Sequence, residues 1–167
     1  TDLDGDGSSF AADIAYLEKE TQTLDMNYVS NHYGKKTICE IIADGTLKDA
    51  SRKLFRGTID FKKGASGSVG QESESVLLLG DDAVNRTIPL ILCAEEDVVG
   101  NHGAAIGEMD EETLFYYGSR GIDRKTAENM AARAKLDRVL GKVPDGREKE
   151  QIQKYLLEVV FHECTNE

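Results

Sequence analysis

The sequence predicts a mainly β protein that ends in a small helical lobe, and three observations carry that expectation. Before Met109, short apolar stretches alternate with Gly, Asn and Asp, the punctuation of a chain that bends between strands. From Asp110 onward the apolar residues recur at helical spacing instead. Sixteen glycines, two prolines and no tryptophan fit many turns in the first part. The expected division is therefore residues 1–108 and residues 109–167.

The candidate strands are SSFAADIAYL, TQTLDMNYVSNH, TICEIIA, RKLFRGTIDF, ESVLLLG, IPLILCA and GAAIG. Thr21, Thr23, Asp25 and Asn27 alternate with Gln22, Leu24, Met26 and Tyr28, the period-2 pattern of a strand with one more apolar face. The continuous runs VLLLG and IPLILCA read as strands covered on both faces. The breaks are single glycines or Asn/Asp clusters, not Asn-Gly hairpin turns. Short strands joined by bends, without intervening helices, fit a sandwich, a barrel or a β-solenoid. No exact short repeat is visible, so a solenoid here would have irregular coils.

In the second part, Asp110 with Glu112 and Thr113 opens a first helix that stops at Gly118 to Gly121. Asp123 is a good N-cap for a second helix, with Ala127, Met130, Ala131, Ala134 and Val139 near one face. Gly141, Pro144 and Gly146 end it. A third helix, REKEQIQKYLLEVVFHE, puts Ile152, Tyr155, Leu156, Val159 and Val160 on one stripe. So small a lobe exposes apolar surface unless it packs on the strands or on a partner.

Charge narrows the function classes. A formal net charge of −11 argues against a nucleic-acid surface and against docking on anionic lipid. No apolar run approaches the ~20 residues that span a bilayer. No secretory signal is visible, and a first residue of Thr1 suggests that an upstream part is missing. Three scattered cysteines, Cys39, Cys93 and Cys164, read as reduced thiols in a cytoplasm, with Cys93 expected to be a buried, inert thiol.

Several motifs offer chemistry. DLDGDGSSFAAD places Asp2, Asp4, Asp6 and Asp13 at positions of a calcium-binding EF-hand loop. Its weak points are Asp13 where a bidentate Glu is usual and the absence of an entering helix, so an acidic turn between strands competes with it. GASGSVG lacks the Lys and the helix start of a phosphate loop and reads as a bend. His32, His102, His162 and the cysteines are the thiolate and imidazole groups suited to iron–sulfur or zinc chemistry, yet none is grouped at ligand spacing. A metal site would need ligands from a second chain.

From Arg52 onward the chain resembles the SufB/SufD family of iron–sulfur cluster assembly proteins, closer to SufD. The resemblance rests on LFRGTIDFKKGA, on QESESVLLLGDDAVNRTIPLILCAEEDV, and most specifically on GNHGAAIGEMDEETLFYYGSRGI. LDGDGSSF is similar to an earlier coil of that family. The resemblance implies a right-handed parallel β-helix followed by a small helical domain. It implies a scaffold, not an enzyme, that pairs with a SufB-like or identical subunit and docks the SufC ATPase. It implies that His102 lies near the subunit interface and helps bind a transient iron–sulfur cluster shared with the partner, Gly100 and Gly103 letting the backbone turn tightly there. Leu114, Phe115, Tyr116, Ser119, Arg120, Gly121 and Ile122 fall on the segment that meets the ATPase, with internal packing as the competing role. Two positions depart from the pattern. Gly100 stands where many relatives have a cysteine, and Asp82 and Ala83 occupy the region of the SufB-type cysteine. The alternatives from other classes are a polysaccharide lyase built on an acidic β-helix and a calcium-binding module using Asp2 to Asp13.

Overall fold

The computed structural model describes residues 1–160, with side chains through 158. Its first compact unit is Thr1–Gly107 and its second Glu108–Glu167. Eight strands build the first: β1 (Asp2–Leu3), β2 (Ser9–Glu18), β3 (Thr23–His32), β4 (Ile38–Lys48), β5 (Arg52–Phe61), β6 (Ser68–Leu79), β7 (Val84–Cys93) and β8 (Val98–Glu108). Odd strands form one sheet in the order β1-β3-β5-β7, and even strands form the other, β2-β4-β6-β8. Each coil thus contributes one strand to each sheet, which is a β-solenoid of parallel strands.

The coils advance by 29 residues from Thr23 to Arg52, 31 from Ile38 to Val69 and 32 from Arg52 to Val84, so no fixed sequence period exists. The corners absorb the difference and stack on one another. Glu20, Lys36 and Asp49 adopt positive φ near 56° at these bends. The Glu20 amide donates to Asp49 Oδ2 at 2.8 Å, and the Gly67 amide to Asp97 O at 2.6 Å, so corner ties to corner as strand ties to strand.

Inside, alternation governs packing. β5 buries Lys53, Phe55, Gly57, Ile59 and Phe61 and turns Arg52, Leu54, Arg56, Thr58 and Asp60 outward. Leu3, Tyr16, Cys39, Ile41, Ala43, Leu47, Phe55 and Val76 make one core cluster. The two apolar runs are not covered on both faces as the sequence suggested. Ile88, Leu90 and Leu92 of β7 are exposed because they take its outward positions, in register with Arg56, Thr58 and Asp60 of β5. Cys93 is exposed and not buried.

The second unit holds α1 (Glu111–Gly118), α2 (Arg124–Leu140) and α3 (Arg147–Tyr155), continued by a wide turn of helix over Leu156–Val160. Asp110 caps α1 by accepting from the Thr113 amide at 2.6 Å, and Asp123 caps α2 by accepting from the Thr126 amide at 2.9 Å. The buried stripe of α2 is Ala127, Ala132, Leu136 and Leu140, whereas Met130 and Ala134 face solvent. Ile152 and Tyr155 are exposed; the side chains of Val159 and Val160, and all of His162 and Cys164, lie outside the described residues. Among the described residues no helix is long and apolar enough to cross a membrane.

The interior also carries charge. The Lys53 ammonium, fully buried, pairs with Glu74 and reaches Thr87 Oγ1 at 3.2 Å. Thr87 donates its hydroxyl proton to Glu74 as well, and Tyr16 donates to Glu74 Oε1 at 3.2 Å. Burial lowers the Lys53 pKa, with Glu74 opposing the shift; burial and then Glu74 raise that of Tyr16. Removing one partner strands a buried charge, so Lys53→Met alone is expected to cost about 3–5 kcal/mol in urea unfolding. The double variant Lys53→Met/Glu74→Leu is expected to recover most of that loss.

His32 is fully buried, stacked on Phe61 with ring centroids 4.7 Å apart, and its Nδ1 lies 2.7 Å from Thr37 Oγ1. Burial lowers its pKa, opposed by Asp60. The folded state therefore binds its proton less readily than the unfolded chain, whose value is about 6.5. The stability tied to neutral His32 is complete above that pH and falls as pH drops toward the folded value. His32→Gln is expected to flatten the fall in Tm between about pH 7 and pH 5.5 relative to wild type.

Candidate functional site

His102 does not sit in a turn. It lies mid-strand in β8, the last strand of its sheet, and is exposed. Its flanking glycines serve different ends. A Cβ on Gly100 would come within 2.9 Å of Ile91 Cγ2 and 3.1 Å of Phe61 Cε2, so Gly100 clears space for interior side chains and does not make a bend. Gly103 has open space around it.

Beside β8, β6 contributes two buried carboxylates, Glu72 and Glu74. Glu74 belongs to the Lys53 network. Glu72 is 4% exposed and rests against the backbone of Gly57, where any Cβ would collide with its carboxylate. Burial raises the Glu72 pKa, Glu74 adds to the rise, and the nearby charges of His102 and Lys53 oppose it. Neither Glu72 nor Lys53 stood out in the sequence. The signal available was a polar residue at an inward position of a strand, visible once β6 is extended back to Ser68.

The remaining candidates are dispersed. Asp2 lies in β1 and accepts from Asn31 Nδ2 at 2.7 Å, while Asp6 accepts from the Lys35 amide at 2.8 Å on the next coil. Asp13 stands in β2, and strands, not helices, flank the acidic turn. The acidic opening is corner chemistry of a solenoid, which corrects the EF-hand reading. Gly64 and Gly67 take positive φ in a corner, but Ser68, Val69 and Gly70 of the same glycine-rich stretch are already strand. Among the described residues no three His, Cys, Asp or Glu side chains gather into a group that could hold a metal ion. Cys39 is buried, and burial raises the pKa of its thiol.

In α1 and the turn after it, Phe115 is 77% exposed, and Tyr116 is also exposed. The Arg120 guanidinium stacks 3.6 Å from the Tyr116 ring centroid. Ser119 Oγ donates to Tyr116 O at 2.8 Å. Gly121 takes φ 79°, the left-handed value that turns the chain toward Asp123. Leu114 and Ile122 are half-buried. The structure thus gathers exposed aromatic and cationic groups on one short segment, and divides the proposed contact residues between solvent and internal packing.

Residues 1–135 match the family described as SUF system FeS cluster assembly, SufBD core domain. The chain is 29% identical over 160 residues to the iron-sulfur cluster assembly protein SufD of Bacillus subtilis, covering 96% of this chain and 36% of that protein. It is 29% identical over 132 residues to SufD of Escherichia coli, covering 78% of this chain and 31% of that protein. A chloroplastic SufBD family protein of Arabidopsis thaliana is 30% identical over 158 residues, covering 93% of this chain and 28% of that protein. The chain therefore spans about a third of the length of the curated relatives it matches. A parallel solenoid, a short helical unit and this match over four-fifths of the sequence agree: the chain belongs to the SufBD core family of iron–sulfur cluster assembly proteins, and lies closer to SufD.

Proposed function

We propose that this chain is the cluster-facing part of a SufD-like scaffold. In this reading it pairs with a SufB-like or identical subunit, docks a SufC-like ATPase, and lends His102 to a nascent iron–sulfur cluster without catalysing a reaction itself. The observation that carries the reading is the position of His102, an exposed imidazole on the terminal strand of a solenoid sheet. A terminal strand has a free edge, the usual place for a second chain to add. One imidazole needs further ligands to hold a cluster, so the cluster is shared with the partner. Membership of the assembly family displaces the polysaccharide-lyase alternative.

The ATPase contact is assigned to Phe115, Tyr116, Ser119 and Arg120, with Leu114, Gly121 and Ile122 shaping the segment from beneath. Aromatic rings beside an arginine are the side chains that most often anchor interfaces, and here they are exposed. The test is co-expression of the full-length protein with the ATPase and the SufB-like subunit, followed by size-exclusion chromatography. Wild type is expected to co-elute with both, Phe115→Ala and Arg120→Ala to weaken ATPase retention about tenfold each, and His102→Ala to retain the ATPase while lowering iron and sulfide content. Failure of the wild-type full-length protein to retain the ATPase ends the docking role; unchanged iron and sulfide content in His102→Ala ends the ligand role.

A further inference from the structure

The interior of the solenoid places Glu72 under His102. A Cβ on Gly70 would lie 3.0 Å from Phe61 Cζ, and one on Gly100 would lie 3.1 Å from Phe61 Cε2. Phe61 is fully buried, so both glycines face the interior at one level, on the neighbouring strands β6 and β8. Two residues further along each strand, Glu72 and His102 keep that face. The two are therefore cross-strand neighbours on one face, with the charge of His102 among those that act on Glu72.

The Lys53 network does not take in this carboxylate. Lys53, the nearest buried cation, is paired with Glu74 and Thr87. Among the described residues no hydrogen bond or ion pair closes on Glu72, although it is 96% buried by its 4% exposure. Gly57 gives up its side chain to leave the carboxylate room. Burying an unpaired carboxylate is unfavourable, and an apolar side chain would pack the same space at less cost. A group kept at such a cost, next to an exposed imidazole, has the arrangement of the carboxylate–histidine pairs that orient metal ligands.

We propose that Glu72 is the positioning residue of the His102 site: its carboxylate, not bonded to the ring in this structure, accepts from one ring nitrogen when His102 turns inward and leaves the other nitrogen directed outward, toward the iron of the cargo. This rests on the reading of His102 as a ligand. Gly57 belongs to the same device, since it sets where the carboxylate stops. An imidazole held in this way is a stronger donor and is fixed in one tautomer before any metal arrives.

The test uses the full-length protein, reduced and metal-free, with ¹⁵N-labelled histidine rings. The His102 signals are those that vanish in His102→Ala. Wild type is expected to show His102 as a single tautomer, and Glu72→Gln to show the exchanging mixture of a solvated ring. Identical His102 signals in the two proteins overturn the inference. Glu72→Leu is the second variant, expected to free the ring while keeping Tm at or above wild type; a lower Tm with the ring unchanged assigns Glu72 to folding alone and also overturns it. Co(II) titrated into the same samples separates the inference from the reading beneath it. Broadening of the His102 ring in wild type, needing about 10–100-fold more Co(II) in Glu72→Gln, supports both. No broadening of His102 in wild type sinks the ligand reading, whereas equal broadening in wild type and Glu72→Gln sinks only the positioning role.

Discussion

Backbone ladders that run in register from coil to coil are the constraint on which everything else in the first unit depends. Ile38 pairs with Val69 and Lys48 with Leu79 without a slip, and Arg52 pairs with Val84 and Phe61 with Cys93 in the same way. A slip of one residue would exchange the interior and exterior of a strand. Register therefore decides that Lys53, Glu72 and Glu74 lie inside although their chemistry favours water. It also frees strand positions from intrinsic propensity. β6 begins Ser-Val-Gly-Gln-Glu-Ser, a poor strand by composition, yet it is held because β4 on one side supplies its partners.

The same ladders fix the width of the interior, so a large side chain on one sheet needs a small one opposite. Glu72 fills the space a Cβ on Gly57 of the other sheet would take, and Phe61 with Ile59 fills that of Gly70, while Tyr16 lies over Gly45, its neighbour in the same sheet. These glycines are not turn residues; none of the three has a positive φ. Their role is clearance, and it is what admits a tyrosine, a carboxylate and a phenylalanine into the lumen. The polar part of that lumen includes a closed set at Lys53, Glu74, Thr87 and Tyr16, another at His32, Thr37 and Ser68, and Glu72, on which no hydrogen bond closes. Satisfied and unsatisfied buried charge thus sit one inward step apart on β6.

Much of this was legible before any coordinates. The RKLFRGTIDF stretch is β5 residue for residue, and Asp110 and Asp123 cap the helices they were expected to cap. Local signals sufficed there, because period-2 alternation and N-cap chemistry are properties of a few adjacent residues. The failures share a cause in contacts about thirty residues apart. Asp2 and Asp6 read as calcium ligands because their real partners, Asn31 and Lys35, are 29 residues away. His102 was expected in a turn because Gly100 was taken as a hinge, when its reason is Phe61 and Ile91 on the other sheet. Ile88, Leu90 and Leu92 were expected under cover on both sides, whereas the outer face of a solenoid wall meets solvent. The buried Glu72 was invisible for the same reason: nothing near it in sequence marks it as interior.

The end of the described solenoid is where these threads meet. A solenoid coil is covered by its neighbours, and a terminal coil that stands alone in water needs a polar outer face. Here β7 carries Ile88, Leu90 and Leu92 outward on one sheet, and β8 carries Val99 outward on the other. Exposed apolar rows of this kind are what a covering chain would bury. The interior is open at the same coil, since Cys93 and His102 both reach solvent there. Apolar outward residues and an accessible imidazole on one terminal coil are what the proposed pairing rests on. A chain that pairs along β8, as proposed above, would bring its own groups within reach of His102.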